Sequence, residues 1–143
     1  MLRDIDPVLS PDLLFALASM GHGDDIVIAD ANYPGASCGP LCIRADGLSA
    51  SVVLKAILTI LPLDTFVSDP AISMQVVGKP EVVPDAVQDF QSIINKYADH
   101  PATITSLERF KFYERASQAY AVVLTGERRL YGNIILKKGV IGS

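Results

Sequence analysis

The chain has 143 residues, half of them hydrophobic, and a formal net charge of −4 at pH 7. That length and composition fit one folded domain with a substantial core and exclude a disordered chain. The acidic balance speaks against nucleic acid or an anionic membrane surface as partner, and no apolar stretch is long enough to span a bilayer.

The opening "MLRDIDPVLS" carries acids early and no long apolar segment, so it does not read as a signal peptide. Ser10 and Pro11 begin a helix, with the serine as cap, the proline in the first turn and Asp12 near the positive end of the dipole. Leu13, Leu14 and Leu17 share a face, and Gly21 reads as the terminator. "DIVIAD" is short, β-branched and unbroken, which predicts a buried strand. "ANYPGASCGP" is a loop by its glycine and proline content, and "LCIRAD" a second short strand. From Ser51 to Leu61, Val53, Leu54, Ile57, Leu58 and Leu61 recur at helical spacing, and "AISMQVV" reads as a third strand. Pro84 starts a longer helix with Val87, Phe90, Ile94 and Tyr97 on its apolar face. "ATITSL" is strand-like and "ERFKFYERASQ" a short helix. "AYAVVLTG" and "YGNIILKKG" read as two strands joined by a polar turn, "ERRL". No repeat, low-complexity segment or linker breaks residues 1–143. The alternation predicts one α/β domain of three layers, a central mostly parallel sheet flanked by helices.

Cys38 and Cys42 supply at most half of a zinc site, and only His22 and His100 stand ready to add ligands. They therefore read as ordinary reduced thiols and favour the cytoplasm. In an α/β sheet, ligands gather beyond the carboxyl ends of the strands. Asp30 ends the first strand, while His22 stands in "GHG", between the first helix and that strand. If helix and strand run antiparallel, His22 lies near the strand's beginning. The two residues then face different pockets, or meet through loop geometry or a second subunit. His22 titrates naturally near neutrality, and its flanking glycines leave the ring accessible; the plainer reading is a residue that helps to cap the first helix. "GHG" is not a phosphate loop, because it precedes a strand and lacks the third glycine.

A second candidate is "LERFKFYERA", with Arg109, Tyr113 and Arg115. Tyrosine and arginine hydrogen-bond hydroxyls, and aromatic faces suit the C–H side of a sugar. The plainer reading is an amphipathic helix that packs Phe110 and Tyr113 and exposes its charges. A third is Tyr131, Gly132 and Asn133, a phenol, a close-approach backbone and an amide at the entry to a strand. Asparagine in a turn is also a common backbone mimic. Lys137 and Lys138 read as solvated. With no Ser-His-Asp pattern, Walker loop or metal spacing, this inventory moves protons and holds hydroxyls without a cofactor.

Four separated segments, "SPDLLFALASMGHGDDIVIADANYPG", "GPLCIRADGL", "LERFKFYERA" and "TGERRLYGNIILKKGV", occur in order from about Leu9 to Val140. Together they resemble the fucose mutarotase branch of the ribose pyranase/fucose mutarotase family. The resemblance implies a cytoplasmic enzyme that interconverts the α and β anomers of L-fucose. It matches His22 to a general acid, Asp30 to a sugar-binding carboxylate and Tyr113 to a tyrosine implicated in mutarotation. Arg109 falls where the fucose branch has a binding arginine and the ribose branch a histidine. Tyr131, Gly132 and Asn133 match the C-terminal binding segment. Bacterial members are similar to ring-shaped decamers with sites between neighbouring subunits; vertebrate ones form smaller assemblies. One departure is Phe66, where close relatives often carry a tyrosine; if a phenol there is important for rate, the expectation is a slow protein or one that leans on Tyr113 instead. The expected partners are thus a monosaccharide, L-fucose or D-ribose, and further copies of the chain, with no nucleic acid, membrane or cofactor. The rival readings are a D-ribose pyranase, a non-catalytic monosaccharide-binding protein and a structural oligomer.

Overall fold

The computed structural model describes residues 1–142. Its elements run α1 (Pro11–Ser19), β1 (Asp25–Ala29), β2 (Leu41–Ala45), α2 (Ala50–Leu58), β3 (Ala71–Met74), α3 (Asp85–Tyr97), β4 (Thr105–Leu107), α4 (Arg109–Ser117), β5 (Ala121–Thr125) and β6 (Ile134–Lys137). The strands form one six-stranded sheet in the order β2-β5-β1-β6-β3-β4. β1 and β2 pair parallel with β5, and β3 parallel with β4. β6 runs antiparallel to both of its neighbours, β1 and β3. The two strands read from the C-terminal sequence are therefore not a hairpin. β1 lies between them, because its fully apolar run fills a central position that neither face leaves wet.

Side-chain alternation divides two cores. Ile26 and Ile28 of β1, Ala121 and Val123 of β5, and Ile134 and Leu136 of β6 face α1, α2 and α3. Val27, Ala29, Val122, Leu124 and Ile135 face the other way, against Phe112 and Ala116 of α4. The fold is thus three-layered, three helices over one sheet face and one over the other. Each fully buried branched side chain contributes roughly 1.5–3 kcal/mol.

Local chemistry sets the helix ends. The Ser10 hydroxyl accepts from Leu13 N–H at 3.2 Å, and Pro11 opens α1. Gly21 does not terminate that helix by a left-handed turn. Met20 leaves it in extended geometry, and Gly23 is the residue at positive φ, +85°. In α4 the Glu108 carboxylate caps the N-terminus by accepting from Phe110 and Lys111 N–H. The buried aromatic of α4 is Phe112, fully enclosed, whereas Phe110 is exposed. Periodicity alone could not choose between neighbouring aromatics on a helix only nine residues long.

Lys137 and Lys138 are not solvated. Lys137 Nζ donates to Asp25 Oδ1 at 3.0 Å, and Lys138 Nζ donates to the Leu17 and Met20 carbonyls at the end of α1. Lys138 thus meets the end of α1 and Lys137 the start of β1, placements invisible in the linear chain.

Candidate active site

At the carboxyl edge of the parallel strands lies a cavity of about 280 Å³, lined by Asp30, Asn32, Tyr33, Met74, Val77, Arg109, Tyr113, Leu130, Tyr131 and Asn133. Ligand sites run from roughly 300 to 1,000 Å³, so this one suits a small polar ring better than a dinucleotide. A larger cavity of about 460 Å³, between α1 and residues 60–62, is walled almost wholly by apolar groups and offers no comparable set of donors and acceptors.

Asp30 leaves the end of β1 and is 7% exposed. Its Oδ1 accepts from Asn32 N–H at 3.0 Å, and its own N–H donates to Asn133 Oδ1 at 2.8 Å. Burial holds the Asp30 carboxyl above its ordinary value, and hydrogen bonds from Asn32, Asn133, Gly132 and Tyr33 only partly offset this. A buried, ionised carboxylate of this kind is a strong acceptor for ligand hydroxyls.

Tyr131, Arg109, Tyr113 and Tyr33 complete the wall, with Gly132 behind it. Tyr131 stands at φ +58°, a left-handed conformation costly for a bulky residue, and its hydroxyl accepts from Val77 N–H at 3.2 Å. Gly132 cannot carry a side chain: a Cβ there would fall 2.8 Å from Glu127 Cγ. Its need is thus packing against the loop that follows β5. The Arg109 guanidinium lies 5.5 Å from both the Phe110 and Tyr113 ring centres, and Tyr113 stacks in tilted contact on Tyr33 at 5.4 Å. Burial pushes the Tyr33 phenol well up, so it stays protonated. Six of the seven site residues read from the sequence therefore converge: Asp30, Arg109, Tyr113, Tyr131, Gly132 and Asn133. Arg115 does not join them; its Nε donates to Asp25 at 3.1 Å at the opposite sheet edge.

His22 is also at that opposite edge. The five residues of β1 separate it from Asp30, a length of about 16 Å at roughly 3.3 Å per residue. The ring is accessible, its side chain 42% exposed, and Nε2 lies 3.0 Å from Oδ1 of buried Asp64. Burial pushes Asp64 up, but hydrogen bonds from Phe66 N–H and His22 outweigh it and hold the carboxyl below its ordinary range. An acceptor at Nε2 sets which ring nitrogen carries hydrogen and leaves the lone pair on Nδ1. The Phe66 ring packs on the imidazole at 4.9 Å and is otherwise exposed. Asp64, Tyr33 and Met74 escaped the sequence reading, because a lone carboxylate and two apolar-looking residues carry no motif.

A family model described as the RbsD / FucU transport protein family matches residues 3–141. The chain belongs to that family. Fucose mutarotase of Mus musculus is 53% identical over 98% of this chain and 95% of its own length. L-fucose mutarotase of Haemophilus influenzae is 47% identical over 98% and 97%. The crystal structure of the fucose mutarotase from Streptococcus pneumoniae in complex with L-fucose is 47% identical, covers 99% of this chain and all of that one, and superposes with a TM-score of 0.91. Membership accounts for the ordered spread of motifs along the whole chain rather than in one segment.

Proposed function

We propose that this protein is an isomerase that interconverts the α and β anomers of L-fucose, with His22 and Tyr113 in proton transfer and Asp30, Arg109, Tyr131, Gly132 and Asn133 holding the sugar. The observation that carries this reading is the cavity itself. It puts a buried carboxylate, a guanidinium, three phenols and two amides around a monosaccharide-sized space, in a chain 47% identical to a mutarotase solved with L-fucose. Mutarotation needs little more. One group takes the anomeric hydroxyl proton while another gives a proton to the ring oxygen. The ring opens to the aldehyde, turns about one bond and closes on the other face. An imidazole held at one nitrogen serves both directions, because its other nitrogen can take up a proton and give it back. Met74, Val77 and Leu130 present an apolar wall to the methyl group that distinguishes a 6-deoxy sugar.

The site is assembled between copies. A single chain keeps His22 and the cavity on opposite sheet edges, so His22 of one copy reaches the cavity of the next. Such a contact joins two different surfaces and closes into a ring when its rotation allows; the assembly we propose is a ring-like homo-oligomer, a decamer. Exposed apolar side chains stand at both faces of that contact, Phe66 beside His22, and Leu130, Phe110 and Val77 at the cavity mouth. The unpaired thiols of Cys38 and Cys42 fit a cytoplasmic setting. No helix among the described residues is long and apolar enough to cross a membrane.

The test is magnetisation-transfer NMR on L-fucose, D-ribose and D-galactose at one enzyme concentration. L-fucose exchange is expected to exceed D-galactose exchange by roughly 10-fold or more, because D-galactose belongs to the opposite enantiomeric series and also carries the 6-hydroxyl that L-fucose lacks. Faster action on D-ribose would favour the pyranase, and tight binding without faster exchange would favour a non-catalytic binder.

The Asp30 carboxylate accepts sugar hydroxyls most strongly while ionised. Burial raises its pKa above the ordinary 3.8, so affinity is expected to fall during acidification at a pH higher than an exposed aspartate would set. Calorimetric Kd values for L-fucose between pH 7 and pH 4 check this. Asp30→Asn is expected to bind weakly and without that pH dependence. A wild-type affinity flat across the range would contradict the role given to Asp30.

A further inference from the structure

We propose that the run Lys137-Lys138-Gly139 is a positioning device that assembles the His22–Asp64 pair, with the Lys137 ammonium fixing the turn that carries the imidazole. The inference rests on the reading of His22 as a proton-transfer group. Beyond β6 the chain threads between two segments. On one side, Gly23 N–H donates to the Lys138 carbonyl at 2.9 Å, and Lys138 N–H donates to the Asp24 carbonyl at 2.9 Å. On the other, Asp64 N–H donates to the Lys137 carbonyl at 3.0 Å, and Gly139 N–H donates to the Pro62 carbonyl at 2.8 Å. The approach at Gly139 is so close that a Cβ would lie 2.8 Å from Asp64 Cα and from the Leu63 carbonyl oxygen. One short piece of backbone therefore sets the spacing of His22 from Asp64, although 42 positions separate them in the chain.

The side chains hold the turn itself. Gly21 and Gly23 flank His22, and Gly23 sits at φ +85°, so the backbone there is intrinsically loose. Lys138 Nζ donates to the Met20 carbonyl at 2.6 Å, just before the turn. Lys137 Nζ donates to the Gly23 carbonyl at 2.9 Å, just after the imidazole. The Lys137 side chain is only 18% exposed and is held in place by its part-buried bond to Asp25 Oδ1 at 3.0 Å, while the Gly23 carbonyl it also reaches lies at the surface. Proton transfer tolerates little misplacement, and an error of about 1 Å can cost roughly 100-fold. Two ammonium clamps on either side of a glycine-flanked histidine answer that demand. Removing the Lys137 ammonium does not orphan Asp25, since Arg115 Nε still donates to it at 3.1 Å.

The experiment compares Lys137→Met, Lys137→Arg and His22→Gln in the intact protein, with L-fucose exchange measured over a range of sugar concentrations. Lys137→Met is expected to lower kcat roughly 10- to 100-fold while KM moves less than about twofold. Lys137→Arg is expected to recover most of that rate, because a guanidinium can donate to both Gly23 and Asp25. The chain has two histidines, so the His22 ring signals are assignable, and in Lys137→Met they are expected to broaden or divide. If Lys137→Met does not fold, Lys138→Met applies the same kcat and KM test from the other side of the turn. Should His22→Gln abolish exchange while the lysine variant keeps kcat within about twofold of wild type, the positioning role is overturned and the reading of His22 stands. Should kcat and KM deteriorate together, in step with lost thermal stability, the role is structural and the proposal is equally overturned. Should His22→Gln itself exchange at the wild-type rate, the reading of His22 fails and this inference falls with it.

Discussion

Replacing His22 by alanine is expected to slow anomer exchange of L-fucose by roughly 100- to 10,000-fold, the worth of one positioned proton-transfer group. Affinity for the sugar should change far less, because the hydroxyls are held by Asp30, Arg109 and the Tyr131–Asn133 segment at the other sheet edge. The fold should survive. The imidazole is substantially exposed, and a pair with one partner in water contributes at most about 1 kcal/mol. Asp64 keeps its hydrogen bond from Phe66 N–H when the ring is gone. Magnetisation-transfer NMR gives the rate, and circular dichroism on the same sample shows that the loss is chemical rather than structural. Wild-type exchange in a folded His22→Ala protein would remove the imidazole from the mechanism.

At sugar concentrations well below the Asp30→Asn Kd, co-expressing His22→Ala with Asp30→Asn is expected to restore about one quarter of wild-type exchange, although each variant alone is close to baseline, the first for want of proton transfer and the second for want of bound sugar. Each proposed site takes His22 from one copy and the cavity from its neighbour. In randomly mixed assemblies about one site in four then receives both intact groups. A site complete within one chain predicts no recovery, since no chain in the mixture carries both residues. Differently tagged variants, purified through both tags in sequence, give the mixed assemblies directly. Exchange that stays at baseline in those assemblies would place His22 outside the neighbour's cavity. The distance argument makes this a sharp test: the central strand holds the two groups about 16 Å apart, and a strand buried on both faces cannot fold back to bring them together.

Much of this protein is local and was therefore legible in the amino-acid order. The β-branched run "DIVIA", the serine and proline before α1 and the spacing of Val53, Leu54, Ile57 and Leu58 each specify an element through its own sterics and caps. The cavity residues were readable for a related reason: Asp30, Arg109 and Tyr131–Asn133 all follow or precede strands at the carboxyl edge, where any α/β sheet presents its loops. What the order could not contain was anything set by which strands become neighbours. The insertion of β1 between β5 and β6, the burial of Phe112 instead of Phe110, and the tying of Lys137 and Lys138 to carbonyls and a carboxylate far away in the chain all depend on pairing across the sheet. Tertiary structure alone also joined His22 to Asp64 and parted it from Asp30. Side-chain periodicity states which face a residue takes within its element, whereas distance between elements is decided only when the hydrophobic surfaces of all of them are buried together.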